Sequence, residues 1–383
     1  MSQWPMVKLG DVVSLRGESI VDFSSVNEFP FIGLEHMAEG GGVAASSSVE
    51  DFNPKSAKSL YRKGDLLFGR LRPNLRKVAL ADTDGICSTD ITVLTPKQDI
   101  DHRYLYFALL SHHFYCQVKN NVNGINLPRI NAKRLLKLTI PLPPLEEQRR
   151  ISKVLAKSTK SIERERITID RLKETLNAVF NQRFGSPYQN QKHLPILKLS
   201  ELAVVKTGNT PPRRVTENYG SYIPWAKSDN LGDWGITTPE ESLSEQGAQK
   251  GRIAEPGSIL VTCIAGSINS IGKSSLIEQD VAFNQQINSL TPKPEISSSA
   301  FLFAALNSYP ELVRDKSTGG VKGIVKKSAF EDIALPVPPM HEQHWFSQFF
   351  ENLKTIVRLQ SRKLALLEEL HQSLATRAFA GQL

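Results

Sequence analysis

The sequence predicts an α+β chain: two similar mixed α/β domains, each followed by a long helix, with the helices paired as an antiparallel coiled coil and related by internal pseudo-two-fold symmetry. Three observations carry this. A proline-rich stop occurs twice, as Pro141-Leu142-Pro143-Pro144-Leu145-Glu146-Glu147-Gln148 and as Pro336-Val337-Pro338-Pro339-Met340-His341-Glu342-Gln343. The copies lie 195 residues apart, about half of the 383-residue chain. Each is followed by a run in which apolar residues recur in alternating steps of four and three, the spacing of a coiled-coil seam.

Ring-locked residues without amide donors cannot continue a helix, yet proline suits a first helical turn, so each stop marks a domain end and a helix start. Self-similarity at a fixed period is the mark of a repeated unit. The expected boundaries are a domain over 1–143, a helical spacer over 144–185, a second domain over 186–338 and a second spacer over 339–383.

The first domain opens on Val7-Lys8-Leu9-Gly10-Asp11-Val12 and passes the Gly40-Gly41-Gly42 loop to a turn at Gly64-Asp65. Strands are expected over Leu66–Phe68, Val78–Ala81 and Ile91–Leu94, and a helix over Arg103–Phe114. The second domain replays the order. Leu197-Lys198-Leu199-Ser200-Glu201-Leu202 answers the opening at an offset of 190, Pro256-Gly257-Ser258-Ile259-Leu260 answers Lys63 to Leu67, and Phe301 to Leu306 answers Tyr104 to Leu109 at 197. Such drift is what small loop insertions produce, so the domains should share a fold and differ in their loops.

In the first long helix the seam runs Ile151, Leu155, Ser158, Ile162, Glu165, Ile169, Leu172, Leu176, Val179. Its counterpart, 195 residues on, runs Phe346, Phe350, Leu353, Val357, Gln360, Leu364, Leu367, His371, Leu374. Both break at a polar residue in the same place, Glu165 and Gln360, a device that fixes register. Helices of this length, about 60 Å, would not leave such seams open to water, which is why they should pair. Antiparallel pairing within one chain sets a similar domain at each end of a rod, the geometry by which two-fold proteins span two half-sites on DNA.

Hydrophobic residues make up 40% of the chain and charged residues 22%, the balance of a globular protein. No apolar run is long enough to span a bilayer, and the N-terminus lacks a basic segment followed by an apolar one, so a cytoplasmic protein without membrane contact is expected. Cys87, Cys116 and Cys263 have no paired spacing and read as buried small apolar residues. The net charge is +8, and eight bases (Lys55, Lys58, Arg62, Lys63, Arg70, Arg72, Arg76, Lys77) stand against Asp65 alone within one short segment. That is a field suited to a polyanion, although a charge run also serves as a solvated face.

Catalytic motifs fail on inspection. Gly266 to Ser274 has five residues between its glycines where a phosphate loop needs four, and His341-Glu342-Gln343-His344 brings its second histidine one residue early for a zinc helix. No Asn/Asp-Pro-Pro-aromatic stretch is present to hold a target base. No metal site and no cofactor are expected in this chain. Binding features are better formed. Between two strands, Arg70, Arg72, Asn74, Arg76 and Lys77 offer groups that grip phosphates, read guanine edges or pair with adenine. The matching loop of the second domain offers Ser267, Asn269 and Lys273, and nearby polar loops offer Arg213, Arg214, Lys227 and Asp229. Trp225 reads first as a core residue. Trp345 and Phe349, four apart beside the seam, suit either subunit docking or packing on the chain's own domain.

The repeated Pro-x-Pro-Pro-x-x-x-Gln start, Thr207-Gly208-x-Thr210-Pro211, Ile223-Pro224-Trp225, Ile271-Gly272-Lys273 followed by Asn284-Gln285-Gln286-Ile287, and the terminal Ala378-Phe379-Ala380-Gly381-Gln382-Leu383 resemble the specificity subunit of Type I restriction-modification systems. The likeness covers nearly the whole chain. It implies two target-recognition domains, each reading half of a bipartite asymmetric site in double-stranded DNA, with the helices as ruler and as docking surface for two methyltransferase (modification) subunits. It further implies that S-adenosylmethionine, ATP and Mg belong to those and to the restriction/translocase subunits. The first domain departs from the pattern, with Leu15-Arg16-Gly17-Glu18 in place of Thr207-Gly208 and no tryptophan beside Pro30. Two other readings are a structural adaptor holding two protein-binding domains on a helical rod, and an enzyme acting alone, for which no constellation is evident.

Overall fold

The computed structural model describes residues 4–124, 127–232, 234–318 and 323–383. Two compact units emerge, one formed by Met1–Arg166 with Arg362–Leu383 and the other by Ile167–Ser361. The division falls inside the long helices, because each helix shares its contacts between the two units.

In the first unit, Met6–Lys8 pairs antiparallel with Thr139–Pro141, which fastens the chain start to the proline stop. An antiparallel sheet follows in the order Val13–Leu15, Ile91–Pro96, Leu66–Gly69, Val78–Leu80. Alternation along its strands divides the core in two. Leu66, Phe68 and Leu94 join the cluster of Tyr104, Leu105 and Ala108 from helix His102–Leu110. Leu67, Ala79 and Val93 point the other way, into a cluster with Ile32, Tyr61 and Cys87 from a second, five-stranded sheet. In that sheet Pro30–Ile32 runs parallel to Gly85–Cys87, with Phe31 opposite Ile86. The single helix expected over Arg103–Phe114 is two, His102–Leu110 and His112–Lys119. Ser111 between them is extended, and its hydroxyl accepts from the Phe114 amide at 3.2 Å, so a serine in an apolar run caps a new helix.

The second unit repeats the plan. Ile196–Lys198 pairs with Ala334–Pro336, and an antiparallel sheet runs Ala203–Thr207, Ile287–Pro292, Ile259–Thr262, Ser274–Leu276. Strand Tyr219–Ala226 lies parallel to Val281–Phe283, with Trp225 opposite Ala282. Phe31 therefore occupies the register position of Trp225, and both are buried. The tryptophan missing beside Pro30 is a side-chain exchange at a shared place.

The long helices span Leu145–Phe184 and Met340–Ala380. The motif's glutamine explains how each begins. Gln148 is buried; its side-chain oxygen accepts from the Asp101 amide at 2.9 Å and its nitrogen donates to the Pro143 carbonyl at 2.9 Å. Gln343 accepts from the Ser298 amide at 2.8 Å and donates to the Pro338 and Ile296 carbonyls at 2.9 and 3.0 Å. Asp101 and Ser298 are the N-caps of the short helices behind each sheet, so one side chain locks the long helix to its own domain.

Within each unit the helical segments run antiparallel. In the first, Ser158 meets His371 at 2.8 Å, Glu165 pairs with Lys363 at 2.6 Å and Arg166 with Glu368 at 2.7 Å. The Ala378 carbonyl accepts from the Trp4 indole at 3.2 Å, and Phe379 packs on Tyr104 at 5.6 Å. In the second, Phe346 packs on Phe180 and Phe184 at 5.9 and 5.3 Å, and Arg183 pairs with Glu342 at 2.5 Å. Leu155, Ile162, Ile169, Leu176, Phe350 and Val357 are buried, and Leu172, Leu364, Leu367 and Leu374 half-buried. Of the two polar seam positions, Glu165 is buried with Lys363 and Gln360 is half-buried.

Burial against the first domain, 6.3 Å from the Phe107 ring, lowers the pKa of His371 and keeps its imidazole neutral. An unfolded histidine takes up a proton from about pH 6.5 downward, so the unfolded state binds more protons and this contribution, intact above that pH, is lost as pH falls below it. Thermal unfolding of the full chain between about pH 7.5 and 5 should show this slope, and His371→Gln should flatten it.

Cys87 and Cys263 are buried, their thiols pushed up to about 12 by desolvation. Cys116 departs from expectation: it is exposed, on the outer side of helix His112–Lys119, 3.3 Å from the His112 ring. Among the described residues no helix is long and apolar enough to cross a membrane.

Candidate nucleic-acid interface

The basic loop of the first unit connects strands Leu66–Gly69 and Val78–Leu80 through one turn of 3-10 helix, Pro73–Leu75. Arg72 and Arg76 flank that turn with φ of 49° each, a left-handed conformation that costs a residue with a Cβ about 1–3 kcal/mol and persists where surroundings impose it. Here the Arg72 amide donates to the Pro128 carbonyl at 2.8 Å and the Ile130 amide to the Arg70 carbonyl at 3.1 Å, stitching the loop to a neighbouring segment.

Its cations are unequal. Arg70 turns inward, donating to the Thr89 carbonyl with its Nε buried and unpartnered. Lys77 donates to the Leu34 carbonyl at 2.7 Å, and the Arg76 guanidinium lies 4.1 Å from the centre of the Tyr115 ring. Arg72 and Asn74 are exposed. The wider basic run is also thinner than its sequence suggests, since Lys58 is buried and donates to Ser56. Asp65 does not offset it at the surface: it is buried, gripped by Arg16 through two bonds of 2.6 and 3.2 Å.

In the second unit the turn Ile268–Ser270 stands where Pro73–Leu75 stands in the first. Ser267, Asn269 and Lys273 are exposed. Arg314, which the sequence did not flag, holds this loop from beneath by donating to the Ile271 and Asn269 carbonyls at 3.1 and 3.2 Å. Gly272 has φ of +82°, and a Cβ there would meet the Pro310 carbonyl oxygen at 2.6 Å, so the glycine serves close backbone approach and not a phosphate loop.

A second cluster sits over Trp225. The indole is buried, with the Arg213 guanidinium 5.1 Å and the Lys227 ammonium 5.5 Å from its ring centre. Glu241, also missed from sequence, pairs with both, at 2.7 Å to Arg213. Hydrogen bonding from Arg213, then Lys227, holds the Glu241 carboxyl below its ordinary range. Arg214 and Asp229 are exposed beside it. Among the described residues no group of three or more His, Cys, Asp or Glu side chains is arranged to hold a metal. In the second unit Trp345 is 47% exposed, stacked on Phe349 with ring centres 6.0 Å apart and capped by Arg183 at 4.4 Å.

One mixed domain built twice, each copy locked to a long helix and each carrying a polar loop on the same turn, is the organisation of a two-part recognition scaffold. A family model described as "Type I restriction modification DNA specificity domain" matches residues 1–174 and again 195–369. The chain belongs to that family, the specificity subunits of Type I restriction-modification systems. It is 20% identical to the Type I restriction enzyme MjaVIII specificity subunit of Methanocaldococcus jannaschii, over 99% of this chain and 93% of the relative. It is 22% identical to the HindI specificity subunit of Haemophilus influenzae, over 88% and 90%. The crystal structure of the Type-I restriction-modification system S subunit from M. genitalium shares the fold, with a TM-score of 0.58 at 14% identity over 99% of this chain and 96% of that one.

Proposed function

We propose that each domain, 1–143 and 186–338, reads one half of a split, asymmetric DNA site, while the paired helices set the spacing and dock modification subunits. The carrying observation is the pair of loops at Pro73–Leu75 and Ile268–Ser270, each a single turn of 3-10 helix at the same place in its domain, yet unlike in side chains and in flanking backbone, which is left-handed at Arg72 and Arg76 and extended at Ser267 and Ile271. Arg72 and Asn74 are the base-reading candidates of the first loop, with Arg76 and Lys77 toward phosphate and Arg70 as support. Ser267, Asn269 and Lys273 serve the second, assisted by Arg213, Arg214, Lys227 and Asp229 over the Trp225 floor. Trp345 and Phe349 belong to the docking surface. Methyl transfer, translocation and their cofactors, S-adenosylmethionine, ATP and Mg, fall to the partner subunits, and the complex works in the cytoplasm. Expressing this chain with the modification subunit of its system and mapping methylated adenines across a genome tests the reading. One split motif modified on both strands is expected; an unmodified genome with the complex assembled would refute it.

A further inference from the structure

The two long helices differ on the residues just before their seam. On the second helix these positions carry Trp345, Phe349, Ile356, Leu359, Leu366 and Leu370, in the seam's own steps of four and three or their sum. Trp345, Ile356 and Leu359 are 47%, 44% and 64% exposed, and Leu366 and Leu370 are 57% and 50% exposed. On the first helix the residues just before the seam include Arg150, Lys157, Arg164 and Arg171, one every seven residues and all exposed; Arg150, Arg164 and Arg171 lie 195 residues before Trp345, Leu359 and Leu366, and Lys157 answers Asn352. The remaining counterparts, Val154, Ser161 and Thr175, are small or polar.

The apolar stripe is continuous with an interface already present. Trp345 precedes Phe346, Phe349 precedes Phe350 and Ile356 precedes Val357, and the following residue of each pair is buried against the chain itself. An apolar face that widens a helix seam on one side is completed by a further helix bearing the same spacing. Exposed apolar groups in such a row mark an interaction surface, whereas a row of arginine and lysine at heptad spacing attracts an acidic face.

We infer that this chain offers the modification subunit two chemically unequal docking sites: an apolar one on the second helix, which takes an amphipathic helix of the partner, and a basic one on the first, which takes the partner by charge. This rests on the docking role proposed above and deepens it. Identical partner subunits cannot complement an apolar stripe and a basic ladder equally well, so assembly is stepwise. The first partner binds the apolar stripe and resists salt; the second binds the basic ladder and is released as salt rises.

The test is the stoichiometry of the complex of full-length chain and modification subunit, measured by light scattering and native mass spectrometry. Two modification subunits per chain are expected at about 0.1 M salt and one at about 1 M, where the screening length falls from about 10 to about 3 Å. Ile356→Ser with Leu359→Ser, both exposed and so safe for folding, should leave one partner at low salt and none at high salt. Lys157→Glu with Arg171→Glu should leave one partner throughout. Loss of both partners at the same salt concentration overturns the inequality while leaving docking intact. A wild-type chain that binds no modification subunit even at low salt overturns the docking role and this inference together.

Discussion

Replacing Gln343 with leucine is expected to cost the second unit about 3 kcal/mol or more, since each buried polar group left without a partner costs about 1–3 kcal/mol. Three groups would be stranded: the Ser298 amide and the Ile296 and Pro338 carbonyls, all served by that side chain. Leucine nearly matches glutamine in volume, so packing is conserved and the loss isolates the hydrogen bonds. The same change at Gln148 strands two groups, the Asp101 amide and the Pro143 carbonyl, and should cost less. Urea unfolding of the full chain reads both, and equal midpoints for wild type and Gln343→Leu would contradict the locking role. The consequence is functional as well as energetic. On the proposed function, a helix no longer tied to its domain would not hold that domain's loop at a fixed distance from the other half-site.

Arg72→Ala combined with Asn74→Ala is expected to abolish methylation that depends on one half-site while the other domain keeps its fold. Good base-edge contacts are worth about 1–3 kcal/mol each, so losing two amounts to roughly thirtyfold to twenty-thousand-fold in discrimination. Both side chains are exposed. Arg70→Ala is a different experiment. Its guanidinium bonds to the Thr89 carbonyl and its Nε is buried, so its loss loosens the loop itself. Adenine mapping in a strain carrying the double variant reads the effect, and an unchanged methylated motif would remove this loop from recognition.

The long helices were legible in the sequence because they depend on local periodicity. The seam of Leu155 and Phe350 follows from spacing alone, and the proline stops mark the helix starts within a residue or two. The domains were legible mainly as a repeat, since offsets of 190 to 197 residues identify equivalent strands without revealing how they pair. What stayed hidden depends on distant partners. Arg16 and Asp65, 49 residues apart, bury a charge pair that sequence would count as two surface charges. Glu241 gives no signal of its own until strand Tyr219–Ala226 and the residues after it bring Arg213 and Lys227 within reach. Arg314 acts wholly through backbone carbonyls, which no side-chain pattern can announce. Ser111 was misread because a serine amid apolar residues scores as helix interior until its hydroxyl finds the Phe114 amide.

The segment Arg362–Leu383 belongs to the first unit, where Leu374, Ala378 and Phe379 join a core with Tyr104, Ile151 and Leu155. This reverses the usual order of events during synthesis, in which the N-terminal domain folds first as the chain emerges. The second unit, Ile167–Ser361, has all its residues before the first unit has its last helical turns. Until Leu374, Ala378 and Phe379 have been synthesised, the part of the first domain's apolar face that they cover has no partner within the chain.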